Sequence, residues 1–149
     1  MSLSMSREER EQFLADVHVG VLTVAAPDGR APLAVPVWYS YEPGGMVSVT
    51  TGGGSRKAAA IAAAGRASFC VQFEQPPYRY VTVEGPAVVE QGAGFTERRD
   101  IARRYLGPAD GDAFIDGETG AEAEAGTGAD AIMIRMTPQH WLAADFSKS

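Results

Sequence analysis

Cysteine is nearly absent from this 149-residue chain: Cys70 stands alone, so no disulfide can form within it. Histidine is almost as rare, with only His18 and His140, and together these counts argue against a structural zinc site. Lysine is limited to Lys57 and Lys148, while arginine supplies the other eleven cations. Lys57 is therefore unusual within this composition. No apolar run approaches the ~20 residues of a membrane-spanning helix. A basic excess is missing too: the formal net charge is −6. General nucleic-acid binding needs a basic face to neutralise phosphates, so that class is disfavoured. The first ten residues are polar rather than basic and then apolar, unlike a signal peptide. The expectation is a cytoplasmic protein with neither a membrane nor a nucleic-acid partner.

What is present suits one globular domain. Apolar residues make up 45% and charged residues 21% of the chain. Residues 1–5 are expected to be a disordered N-terminus or a cloning scar, and residues 6–149 a single domain. Ser6 and Glu9 have capping-box spacing, which predicts a short helix over residues 6–16. Residues 17–26 are rich in β-branched side chains and read as a strand buried on both faces. Asp28-Gly29 turns the chain into a second strand, about residues 32–41, and Gly44-Gly45 into a third, residues 47–51. These three read as an antiparallel meander.

Gly52, Gly53 and Gly54 then break the strand. An alanine-rich helix follows over residues 55–64, with Gly65 at its C-terminal end. Residues 66–74 alternate as a strand. Residues 78–91 read as a long strand bent at Gly85-Pro86. Residues 96–106 form an amphipathic helix carrying Arg98, Arg99, Arg103 and Arg104. Residues 107–128 read as a frayed helix or a surface loop, 131–136 as a last strand, and 140–146 as an aromatic-bearing tail. About six strands joined mostly by short turns predict a mainly β fold, an antiparallel barrel with peripheral helices.

The strongest chemical signal is Thr50-Thr51-Gly52-Gly53-Gly54-Ser55-Arg56-Lys57. A strand ends in small and hydroxyl residues, and a helix begins at once. A helix N-terminus presents free N–H groups and partial positive charge, which suits a phosphate. Arg56 and Lys57 oppose the helix dipole there unless an anion binds nearby. Taken alone, the motif fits a glycine-rich turn with two solvated cations at least as well. It is not a Walker A loop, since no glycine precedes Lys57 and no Ser or Thr follows it. Cys70 reads as an inert thiol within a strand, and Ser55 lacks a nucleophile elbow. Without evident acid–base pairs, hard chemistry would come from a cofactor. Aromatic residues gather at Trp38, Tyr39 and Tyr41, at Tyr78 and Tyr80, and at Trp141 and Phe146. They suit a flat ring system, a core or an interface.

The order of motifs carries a resemblance. Val19-Gly20-Val21-Leu22-Thr23-Val24 is followed by Pro36-Val37-Trp38-Tyr39 and Val49-Thr50-Thr51. Ser55-Arg56-Lys57 then opens a helix, and Arg66-Ala67-Ser68-Phe69 and Tyr80-Val81-Thr82-Val83-Glu84-Gly85 come after it. This arrangement resembles the pyridoxamine 5′-phosphate oxidase-like family of FMN-binding split β-barrels, the flavin and deazaflavin oxidoreductases. The resemblance runs over about residues 6–142 and is clearest over 17–90.

Membership implies a six-stranded antiparallel split β-barrel and a homodimer with cofactor sites at the subunit interface. By position it implies Val35, Pro36, Val37 and Trp38 beside the isoalloxazine ring and Thr50 and Thr51 beside the ribityl chain. Ser55, Arg56 and Lys57 would hold the phosphate. It implies Tyr80 near the ring, often from the other subunit, and Trp141 packed over the site. One departure bears on substrate: true pyridoxamine 5′-phosphate oxidases carry a longer basic C-terminus, and here no arginine follows Arg135, which argues against vitamin B6 oxidation. The leading expectation is an FMN-dependent oxidoreductase acting on a small molecule. A reductase using the deazaflavin coenzyme F420 is the second. A flavin or tetrapyrrole carrier without turnover is the third. No catalytic residue is assigned.

Overall fold

A computed structural model describes residues 2–91, 95–117 and 131–149. Helix α1 (Arg7–Ala15) starts with the predicted capping box. The Ser6 hydroxyl accepts from the Glu9 N–H, and the Glu9 carboxylate accepts from the Ser6 N–H. Seven strands follow: β1 (Gly20–Val24), β2 (Leu33–Val37), β3 (Val47–Gly52), β4 (Arg66–Phe73), β5 (Arg79–Glu90), β6 (Ala131–Met136) and β7 (His140–Asp145). Helix α2 (Arg56–Ala64) joins β3 to β4. Helices α3 (Phe95–Leu106) and α4 (Pro108–Asp116) lie between β5 and β6. Every strand pairing is antiparallel, and the sheet order is β2-β1-β4-β5-β6-β3 with β7 also on β5.

The long strand β5 joins the two parts of the curled sheet. It stays paired with β4 along one edge, from Arg79 to Pro86. Along its other edge Arg79–Glu84 pair with β7, and Ala87–Glu90 pair with β6. The change of partner falls at Gly85-Pro86, where the 137–139 connection crosses the strand. Thr137 N–H donates to Pro86 O at 2.9 Å, and Gln139 N–H to Glu84 O at 2.8 Å. The strand is continuous through the expected bend, and Gly85 is what lets another backbone come this close.

Several expectations change. The meander ends after two strands: β3 meets the preceding segment only at the Ser40–Ser48 bridge and forms its ladder with β6. Residues 38–46 carry the chain away from β2, so a hairpin inferred from sequence order gives way to a long-range pair. Strand β1 is buried on one face only. Leu22 and Val24 are in the core, whereas Val21 is 38% exposed and Val19 56%. The aromatic tail is a seventh strand, although its sequence has no β-branched residue; pairing with β5 overrides local propensity. Helix α4 occupies the start of the segment read as a frayed helix or loop, and residues 118–130 of that segment lie outside the described residues. Of residues 1–5, Leu3 O accepts from Asp145 N–H at 2.9 Å, and Met5 packs on the core.

The core lies inside the curled sheet and under α1 and α2, built on Leu14, Leu22, Tyr39, Ile61, Phe69, Val71, Val81, Val83 and Ile134. Tyr39 ties three elements together. Its ring meets Phe69 edge-on at 4.7 Å, and its hydroxyl donates to Leu14 O at 2.5 Å. The Arg104 guanidinium of α3 donates to Ala15 O and Asp16 O, so a charged side chain satisfies carbonyls at the end of α1. His18, expected at the start of a strand, precedes β1, and its Nε2 lies 2.8 Å from Phe13 O. Burial pushes its pKa down, which suits a neutral structural imidazole.

Candidate functional site

Strands β2 and β3 end near the N-terminus of α2, and α3 and α4 close over that junction. The result is a cavity of about 250 Å3 lined by Pro36, Val37, Trp38, Thr50, Thr51 and Lys57, with Arg98, Ile101, Ala102, Phe114 and Ile115 supplied by the two helices. Six of the eleven expected site residues therefore meet in one place. The aliphatic and aromatic groups form the walls. The hydroxyls and two cations converge at one helix N-terminus.

Ser55 is the N-cap of α2, and its hydroxyl accepts from Ala58 N–H at 3.2 Å. Thr51 Oγ1 donates to the same oxygen at 3.3 Å, which leaves the Ser55 proton available to an acceptor. The first turn of α2 holds no acidic residue. The positive end of the helix dipole and Lys57 therefore act on the cavity without a local counter-charge on that turn.

Trp38 stands on a support. Its ring stacks on Tyr105 at 4.9 Å with an interplanar angle of 7°, and Phe114 lies 5.6 Å away at 49°. Tyr105 is held in turn by donating to His18 O at 2.5 Å and accepting from Tyr39 N–H at 3.1 Å. Helix α4 is clasped to α3 by charge: Asp112 accepts from Arg99 at 2.8 Å and from Arg103 at 2.6 and 2.9 Å, and Asp116 accepts from Arg99 at 2.7 Å. A Cβ on Gly111 would lie 2.6 Å from the Arg103 backbone, so the two helices touch there main chain to main chain.

The Arg103 guanidinium first, and Arg99 second, hold the Asp112 carboxyl down to about 2. A carboxyl with a lowered folded-state pKa stabilises above its unfolded value, about 4. That contribution disappears as the pH falls through about 2. In a Trp141→Phe background, acidification from pH 4 to 2 is expected to loosen α4 and change Trp38 emission. Asp112→Asn should show the loosened emission already at neutral pH and lose that acid dependence. A wild-type acid profile in the variant would disconnect the clasp from Trp38.

Of the other five expected residues, Ser55 caps α2 beside Thr51, and the remaining four lie away from this cavity. Arg56 faces a separate basin with Asp28, Arg30 and Leu33. Val35 packs against the core from β2. Tyr80 pairs with Gln72 and Ala144 on the sheet, away from the Lys57 cavity. Trp141 lies beneath the Arg10 guanidinium, 4.7 Å from it, and lines a different cavity. Arg98, Ile101, Ala102, Phe114 and Ile115 were not expected at the site. The arginine pattern of residues 96–106 was a partial signal for Arg98. Phe114 and Ile115 fell in the segment whose composition obscured the helix.

A phosphate-bearing planar cofactor suits this donor set: two cations, Thr50, Thr51 and a helix N-terminus at one end, with Trp38, Val37, Ile101 and Ile115 as apolar walls. The cavity is smaller than the ~300–1,000 Å3 usual for such ligands. Among the described residues no cluster of His, Cys, Asp and Glu could hold a metal ion.

The profile of the family described as pyridoxamine 5′-phosphate oxidase matches residues 6–143. The chain belongs to that family. Its fold is shared with a conserved hypothetical protein of Mycobacterium tuberculosis, at a TM-score of 0.77 and 22% identity, over 99% of this chain and 89% of that one. A protein named F420 reductase aligns at a TM-score of 0.60 and 23% identity, over 89% of this chain and 94% of that one. An FAD-binding protein from Mesorhizobium loti aligns at 0.66 and 22%, over 93% and 94%. No curated protein matches the chain. This member of the pyridoxamine 5′-phosphate oxidase family has no described helix long and apolar enough to cross a membrane.

Proposed function

We propose that the protein is an FMN-binding oxidoreductase acting on a small molecule. The observation that carries this reading is the convergence of Lys57, Arg98, Thr50 and Thr51 at the N-terminus of α2, beside the Trp38 wall. Lys57 and Arg98 would hold the phosphate. Thr50, Thr51 and Ser55 would add hydroxyl donors, and Pro36, Val37 and Trp38 would flank the ring. The bound flavin supplies redox chemistry that no side chain provides. Among the described residues lining this cavity there is no His, Asp, Glu or Cys, so these residues contribute binding, orientation and exclusion of water. One cysteine in the whole chain suits a reducing compartment, and the reading places the protein in the cytoplasm.

A deazaflavin reductase is the second reading. Arg98 favours it, because a second cation from α3 extends the basic lining beyond the helix N-terminus, and a structural neighbour is named F420 reductase. Titration of the purified protein with FMN and with coenzyme F420, followed by absorbance and tryptophan emission, tests both. Tighter FMN binding supports the first reading and tighter F420 binding the second. Binding of neither would overturn both.

The reading includes a homodimer. The ladder registers place Pro36, Val21, Cys70, Thr82 and Leu142 in one row across the sheet. Leu142 is 64% exposed and Val19 56%. Such an apolar face invites a second copy. Tyr80 lies on the same face, two residues from Thr82, where it would approach the partner's site. Light scattering is expected to give twice the 15.8 kDa chain mass. Leu142→Glu should return the protein to monomers, and a monomeric wild type would refute the dimer.

A further inference from the structure

A second cavity, of about 490 Å3, shares no lining residue with the Lys57 cavity. It lies between α1, the loop before β3 and the start of β7, and Arg7, Arg10, Glu11, Tyr41, Met46 and Trp141 line it. Two of these side chains hold donors that the protein leaves unmatched. Tyr41 is 5% exposed; its oxygen accepts from Gly44 N–H at 3.3 Å, and its own proton has no acceptor among the described residues. The Arg10 guanidinium lies over the Trp141 ring at 4.7 Å, and its buried Nε has no acceptor either. Burial pushes the Tyr41 phenol up, so it remains a donor at neutral pH.

Buried donors without acceptors are costly and rare. Arg10 Nε is such a donor, and the Tyr41 hydroxyl on the same cavity keeps an unused proton, so an acceptor entering the cavity would satisfy the guanidinium and the phenol together. Glu11 bonds to neither of these donors; its Oε1 accepts from Arg7 Nε at 3.3 Å. Arg7, Arg10 and Glu11 sum to one positive charge, which matches a single negative charge better than a dianion. Met46, which is 45% exposed, and Trp141 add apolar surface beside the donors.

We propose that this cavity binds a small monocarboxylate with an apolar or aromatic body. The carboxylate accepts from Arg10 and Tyr41, and the body lies against Met46 and Trp141. This site is independent of the cofactor reading.

A Trp38→Phe variant leaves Trp141 as the sole tryptophan and reports on this cavity alone. Benzoate and cyclohexanecarboxylate are titrated into it, with inorganic phosphate in parallel. The expected result is a saturable change in Trp141 emission with each carboxylate and none with phosphate. Arg10→Gln and Tyr41→Phe should each weaken benzoate binding by about tenfold or more, the scale of a lost hydrogen bond to a charged group. Arg10→Lys keeps the charge but not the planar fork, and should weaken binding without a shift in melting temperature. Absence of saturation, equal affinity in the variants, or phosphate binding as tightly as benzoate would overturn the proposal.

Discussion

Replacing Lys57 with alanine is expected to weaken cofactor binding by about 1–3 kcal/mol, a loss of roughly 5- to 150-fold in affinity. Lys57 lines the cavity with Arg98, Thr50 and Thr51 at the positive end of α2. Its removal takes a charge from the place where a phosphate would lie. Arg98 and the helix N–H groups remain, which sets the upper limit of the loss. The informative control is Arg56→Ala. Arg56 stands next in sequence but lines the basin of Asp28, Arg30 and Leu33. Its removal should change affinity by less than about twofold, the scale of a screened surface charge. Isothermal titration of the two variants with FMN separates a placed cation from a general basic field. Equal losses would refute the assignment of the phosphate site to the Lys57 side, and unchanged affinity in Lys57→Ala would remove the site altogether.

Gly85→Ala is expected to be the most damaging small substitution in the sheet. A Cβ at this position would lie 1.8 Å from Thr137 O, 3.0 Å from its carbon and 3.2 Å from Gln139 N. These are backbone atoms, and hydrogen bonds to Pro86 O and Glu84 O fix them on either side. The connection cannot retreat without breaking those bonds. They also mark the point where β5 exchanges β7 for β6. The cost is about 3 kcal/mol or more, at the upper end for overpacking. The midpoint of thermal unfolding should fall by roughly 10 °C. Gly54→Ala is the matched control. Nothing lies within 4 Å of its added Cβ, and its backbone is not left-handed, so its melting temperature should stay near wild type. Similar melting of the two variants would show that the crossing yields more easily than its hydrogen bonds imply.

The legible parts of the fold were local. The Ser6–Glu9 box and the left-handed Gly65 at the end of α2 each involve residues close in sequence. A rule written in sequence spacing reaches them. The β3–β6 ladder joins residues some eighty positions apart, and nothing near either strand names its partner. Strand β7 illustrates the same limit from the other side. His140–Asp145 has little strand propensity of its own, and β5 imposes the extended form. The site divides along this line. Pro36–Trp38, Thr50, Thr51 and Lys57 could be read from motif order. Arg98, Phe114 and Ile115 could not, because they enter through the docking of the α3–α4 hairpin.

The sequence by itself determined the capped helices, the strand alternation, the family and the hydroxyl-glycine-lysine segment that opens α2, since each rests on neighbours along the chain. Only the tertiary structure decided which cation faces the cavity and which aromatic groups stand beside it. Consecutive residues on a helix point about 100° apart. Arg56 and Lys57, equivalent as letters, are therefore sent into different basins. Trp141 is likewise assigned to Arg10 rather than to Lys57, because register on β5 sets the face a strand residue presents.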